Sequence, residues 1–178
     1  MSTPEEAQVP IVEKLMVPAK VMMPGPEQIL GTFSLMPVSP SHLGPEALLD
    51  LLNAPTRMLP FIRWSDGTTL LLRRLAIDWV EVDGGIDPAW VRPRTFLVTR
   101  EEHVQVRLID GRLIEGRVSM ELPDDMNRVS DFLNLPEEFF PLATRTGSVI
   151  VNKARIWGVR LFESSPRPVV AALSHFSE

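Results

Sequence analysis

Three histidines, two recurring aspartates, an acidic doublet and a set of paired basic residues are the side chains whose chemistry could matter in this chain. His42, His103 and His175 lie far apart, without a carboxylate or second histidine at the spacing that zinc or general-base sites use. They read as surface or loop residues. Asp124 and Asp125 could form half of an acid/base or metal site, but beside Asn127 they suit the N-terminus of a short helix, where carboxylates favour the dipole. Asp50 and Asp131 recur in matching contexts, as structural carboxylates bonded to nearby backbone would. No phosphate loop, dinucleotide fingerprint or nucleophile elbow is present. With no cysteine, thiolate chemistry and disulfides are excluded. The expectation is a protein that is not an enzyme, with no catalytic residue, metal ligand or cofactor.

The basic residues are the candidates for partner binding. Arg73 and Arg74, and Lys153 and Arg155, fall at two matching tight turns, with Arg57, Arg63, Arg145 and Arg160 expected nearby. Packed about a pseudo-twofold axis, they would form one patch for phosphate or an acidic partner. Solvated charges at strand ends are the plainer reading. Trp79 and Trp157 sit one register apart in the last strands and join the candidate set, one of them covering a seam or lining a peptide groove. A net charge of −5, the absence of Tyr and only four Trp argue against a broad nucleic-acid surface.

The elements that must hold these residues are written twice. His103 to Leu122 alternates apolar and polar residues on either side of Asp110-Gly111, which predicts a β-hairpin. Parity selects the loop. A three-residue turn, Ile109-Asp110-Gly111, pairs Val106 with Ile114 and keeps the second strand's apolar residues on one face, with Gly111 left-handed. At an offset of 85, Ala19, Val21 and Met23, then Ile29, Gly31, Phe33 and Leu35, repeat the design around Pro24-Gly25-Pro26, and Gly31 falls on Gly116. An interior strand glycine marks a bend or a close backbone approach. At an offset of 81, Asp50, Asn53 and Pro55 match Asp131, Asn134 and Pro136; these stretches predict short helices beginning near Pro45 and Asn127. Met58 and Leu59 are expected to plug the first core, Phe139 and Phe140 the second. At an offset of 79, TLLLRRLAIDWVEV lies on SVIVNKARIWGVRL.

The second unit, through VRLIDGRLIEGRV and VIVNKARIWGVRL, resembles a small Sm-like or SH3-like β-barrel, with Asp125 and Asn127 where that family has an acidic and Asn pair. The closing turns depart from the family's Arg-Gly, carrying Asn152-Lys153 and Arg73-Arg74 instead. The chain is also similar to uncharacterised bacterial domains with an Asp-Phe-Leu-Asn core, here Asp131 to Asn134.

The expected fold is therefore mainly β: two tandem Sm/SH3-like barrel units, each with a helix between its second and third strands, packed as a pseudo-dimer. Residues 1–16 are expected to be a flexible N-terminus, 17–82 the first repeat, 83–100 a connector, 101–162 the second repeat and 163–178 a tail. The resemblance to Sm-like domains implies RNA binding; the absence of catalytic motifs favours a protein-binding scaffold or regulatory adaptor. A homo-oligomer formed through edge strands, or through the apolar tail at 168–176, is a further expectation. The opening MSTPEEAQVP carries acid and proline where a secretory leader needs basic residues, and no apolar run approaches the roughly 18 residues of a membrane span. A cytoplasmic protein that meets no membrane is expected.

Overall fold

The computed structural model describes residues 13–162, except 124, 125 and 127. The Asp124-Asp125 cap, Asn127, His175 and the apolar tail lie outside the described residues. Among the described residues no helix is long and apolar enough to cross a membrane.

Strands β1 (Leu15–Met22) and β2 (Gln28–Leu35) form the first hairpin, followed by helix α1 (Leu48–Asn53), β3 (Met58–Arg63), β4 (Thr69–Arg73), a 3₁₀ turn (Arg74–Ala76) and β5 (Trp79–Asp83). After helix α2 (Pro88–Val91) the same order returns. Strands β6 (Arg100–Leu108) and β7 (Leu113–Met120) precede helix α3 (Val129–Leu133), β8 (Phe139–Ala143), β9 (Gly147–Asn152), a 3₁₀ turn (Lys153–Arg155) and β10 (Ile156–Leu161). The β6–β7 register is the one parity selects: Val106 faces Ile114, the Leu108 N–H donates to the Arg112 carbonyl, and Gly111 has φ 90°.

The ten strands of the described residues belong to one antiparallel sheet ordered β10-β6-β7-β8-β9-β5-β1-β2-β3-β4. Each half thus arranges its strands fifth, first, second, third, fourth. This corrects the expected pair of barrels packed as a pseudo-dimer. The sheet is continuous and open, and the halves meet where β9 pairs with β5, Val80 facing Ile150. A twofold contact would join like edges; this one joins the fourth strand of one half to the fifth of the other.

Two cores result. Val17, Val21, Phe33, Leu52, Phe61 and Val80 belong to the first; Val104, Val106, Val118, Phe132, Leu142 and Val151 to the second. Directly opposed residues share a face of a sheet. At the junction Val80 and its partner Ile150 enter the first core, whereas Trp79 and its partner Val151 enter the second. The two cores therefore lie on opposite faces, and the junction exchanges side chains between them. Phe139 follows Ile150 into the first core while Phe140 stays in the second. That corrects the expectation that both phenylalanines plug one unit, since adjacent strand residues point to opposite faces. Met58, expected in the first core beside Leu59, is exposed instead.

Gly31 and Gly116 are both pressed by the neighbouring strand. A Cβ on Gly31 would stand 2.1 Å from the Ile62 carbonyl oxygen, and one on Gly116 2.8 Å from that of Ala143. The connector is anchored: Asp87 accepts from the Ala89 N–H, Val91 is buried and Trp90 packs on the first core.

Candidate functional site

The paired basic residues divide by what the backbone around them needs. A helix leaves its last carbonyls without partners. Arg74 enters the space behind α1, where Nη1 donates to the Leu52 carbonyl and Nε to that of Thr56. Lys153, its counterpart, donates from Nζ to the Phe132 and Leu135 carbonyls behind α3. Burial pushes the Lys153 ammonium below its usual pKa, against the opposing pull of Glu137. Arg74 is itself buried and also pairs with Glu138 from the other half. Arg155 donates to Asp78 at 2.6 Å. Arg73 stays exposed at the end of β4. The four residues are spread over four separate settings, and Arg74, Lys153 and Arg155 bind their own chain. Among the other arginines, Arg63 binds Asp66 beside the β3–β4 turn, while Arg57, Arg145 and Arg160 are exposed.

The junction is locked by polar contacts that the repeat pattern did not signal. Asp78 is buried between Arg112 and Arg155, both from the second half. Burial works against the Arg112 charge, but Asp110 and Asp78 outweigh it and hold the guanidinium above its ordinary pKa. Arg112 also lies 4.3 Å from the Trp79 ring centroid. Asn53 donates to the Phe139 carbonyl and accepts from the Phe139 N–H, clamping the end of α1 to β8. The buried Asn152 side chain donates to the Ile77 carbonyl at 2.8 Å and accepts from the Ala154 N–H. Trp79 is buried at this seam, whereas Trp157 is exposed on β10 with the Arg107 guanidinium over its ring. Asn134 is exposed, as are Pro55 and Pro136.

Asp50 acts as a structural carboxylate. It accepts from the Ala47 N–H at 2.9 Å and from His42 Nε2 at 2.7 Å. Spacing along the chain does not disclose this partner of His42, because the contact spans a loop rather than a ligand-like interval. Hydrogen bonding to Asp50, and then to the Leu43 carbonyl, raises the His42 pKa against a small opposing effect of burial. His103 pairs with Glu115 across the β6–β7 ladder at 2.9 Å. Asp131, the counterpart of Asp50, lies half-buried in the first turn of α3. Among the described residues, no group of three His, Cys, Asp or Glu side chains is placed to hold a metal ion. A groove of about 640 Å³ runs beside the junction, lined by Lys20, Leu30, Trp64, Trp79, Leu113 and Thr144.

The outer edges of the sheet are the remaining feature. Among the described residues β4 and β10 each pair on one side only, so no described strand lies beside their outward backbone groups. Their side chains contrast with those at the junction. Leu71 of β4 is 64% exposed and its counterpart Ile150 is 0%. Met58, on the adjacent β3, is 43% exposed against 1% for Phe139. Leu161 of β10 is 45% exposed against 3% for Val82. No protein family, curated protein or solved structure matches this chain.

Proposed function

We propose that this chain is a non-enzymatic protein-interaction module, a scaffold or regulatory adaptor made of one small β unit in two copies, which binds by strand addition at its sheet edges. The observation that carries this reading is the contrast just described: Leu71 and Leu161 stand exposed on the two outermost of the described strands, and Met58 is exposed on β3 next to one of them. Folded proteins ordinarily blunt such edges with charge, proline or a covering element. Here the β4 edge carries Leu70-Leu71-Leu72 between Thr69 and Arg73. An added strand would gain backbone hydrogen bonds from the edge and specificity from alternate side chains.

The competing proposal, RNA binding of the Sm-like kind, loses support because Arg74, Lys153 and Arg155 are engaged by their own chain. Affinity capture from native cytoplasm, with and without nuclease, compares the wild-type chain with Leu71→Lys and Leu161→Lys. The adaptor reading expects a defined set of proteins that nuclease leaves in place and that one or both edge variants lose. Partners that vanish on nuclease treatment, and RNA retention that falls with salt and with Arg73→Ala, would replace it with the RNA reading.

A further inference from the structure

Each unit of the sheet has a front face, which carries its core, and a back face turned away from it. On the back of the first unit, Met16 and Pro18 alternate with the core residues Val17 and Ala19. Leu30 lies on the same side of β2, and Pro60 and Ile62 alternate with the core residues Leu59 and Phe61. Ladder pairing joins them into one surface: Met16 faces Ser34, and Thr32 lies between Pro18 and Ile62. The Trp64 ring is laid onto it, with Nε1 donating to Thr32 Oγ1 at 2.7 Å. Met16, Leu30 and Trp64 are nevertheless 44%, 49% and 56% exposed. We infer that this back face binds a second copy of the chain, the two sheets stacking face to face in a closed dimer.

The second unit shows that the fold does not require an apolar surface here. At the offset of 85, Glu101, His103 and Glu115 stand where the first unit has Met16, Pro18 and Leu30. At the offset of 81, Ala143 and Arg145 stand for Ile62 and Trp64. His103 and Glu115 pair with each other at 2.9 Å, and Glu101 and Arg145 are exposed. The same strands, in the same order, thus fold with a charged and solvated back. Single exposed apolar residues are ordinary, but a contiguous group of them marks a surface that another molecule covers.

Charge and area point to a second copy as that molecule. Lys20, set into the face, is paired with Glu81, and Arg63 at its margin with Asp66. A chain of net charge −5 therefore meets itself here without bringing unpaired like charges together. The six apolar side chains expose on the order of 500 Å², large for a patch on a monomer. With Lys20, Gln28 and Leu113 around them the face approaches the roughly 800 Å² that each partner of a standard interface buries. Sheets with apolar inner faces pack about 10 Å apart with their side chains interdigitated. A contact of this kind needs a single self-complementary patch and closes at two copies.

The contact uses side chains of β1, β2 and β3 and the Trp64 ring, and no strand edge takes part. It therefore stands or falls separately from strand addition. An interface of this size, held by apolar contact alone, gives a reversible association in the range of about 1–100 µM.

Light scattering on the full chain across that range should show mass rising from one chain to two and stopping there. Met16→Glu and Leu30→Glu each install what the second unit carries at the same position, so both should fold, with circular dichroism and dilute-solution melting unchanged. Both should stay monomeric throughout. Trp64→Ala should weaken the dimer about tenfold or more, whereas Leu71→Lys at the sheet edge should leave it intact. Trp157 is the other exposed tryptophan of the described residues, so acrylamide quenching of Trp157→Phe reports chiefly on Trp64. That quenching should fall as the dimer forms. A wild-type chain that stays monomeric, a dimer that survives both glutamate variants, or quenching that is unchanged while mass doubles would overturn the inference. So would a monomeric chain that retains a different protein only while Leu30 is intact, since the face would then belong to that partner. Capture lost in the edge variants but kept in Leu30→Glu tests the adaptor reading separately.

Discussion

Asn53 and Asn134 end corresponding helices, yet only Asn53 has the other half of the molecule beside it. It uses both polar atoms on the Phe139 backbone, while Asn134 faces solvent. The same division runs through the chain. Ile150 is buried and Leu71 exposed; Phe139 is buried and Met58 exposed. What separates the two sets is not helix or strand propensity but whether another unit lies past the edge. Residues at the covered junction therefore carry energy in the isolated chain, and their counterparts at the open edges carry little.

Several changes would break or sharpen that comparison. The largest effect belongs to the glycines inside both units. Gly31→Ala should destabilise by upwards of about 3 kcal/mol, because its Cβ would strike backbone, and Gly116→Ala by less, about 1–2 kcal/mol, because its approach is looser. Urea melts of the two variants order them. Asp78→Ala should come next, at about 2–3 kcal/mol: it removes the buried anion shared by Arg112 and Arg155, although their partial exposure softens the loss. Trp157→Ala, at the corresponding open position, should leave the melt within about 0.5 kcal/mol of wild type. Asn53→Ala should cost about 1–2 kcal/mol, with a backbone donor and acceptor left unpaired, whereas Asn134→Ala should be near neutral in dilute solution. Equal costs for the two asparagines would show that the edges do not differ as described.

The smallest effect is a pH dependence confined to the first unit. His42 has its pKa raised above the ordinary 6.5 by Asp50. A group raised on folding binds its proton more tightly in the native state, so its stabilisation is complete below the ordinary imidazole pKa. It is lost as pH rises through the higher native value. Melting temperature should fall across that window in the wild type, and the fall should flatten in His42→Ala. Asp50→Asn should flatten it as well.

Much of the local structure was legible in the sequence. Alternation and parity specify the β6–β7 register and the left-handed Gly111, because a one-residue slip would turn an apolar face to solvent. The proline-terminated Asp-x-Leu-Asn stretches, Asp50 to Asn53 and Asp131 to Asn134, specify two short helices. The junction was not legible, for a physical reason. Periodicity tells which residues share a face, but not whether a core lies beyond that face. Phe139 and Phe140 are both apolar, and only the neighbouring half determines that they enter different cores. The basic turns mislead for a related reason: Arg74 and Lys153 look like a ligand patch in sequence, but helix carbonyls satisfy them first. His42 and Asp50 meet only because the loop between them folds back.

Amide hydrogen exchange, residue by residue and at a concentration low enough to keep chains apart, tests the covered junction against the open edges most directly. The β5 and β9 amides should exchange only through global unfolding, together with those of the inner strands of both halves, while the outward amides of β4 and β10 exchange far faster. Junction amides that open as readily as those edges, or halves that lose protection separately with β5 and β9 first, would contradict a single sheet joined at β9·β5.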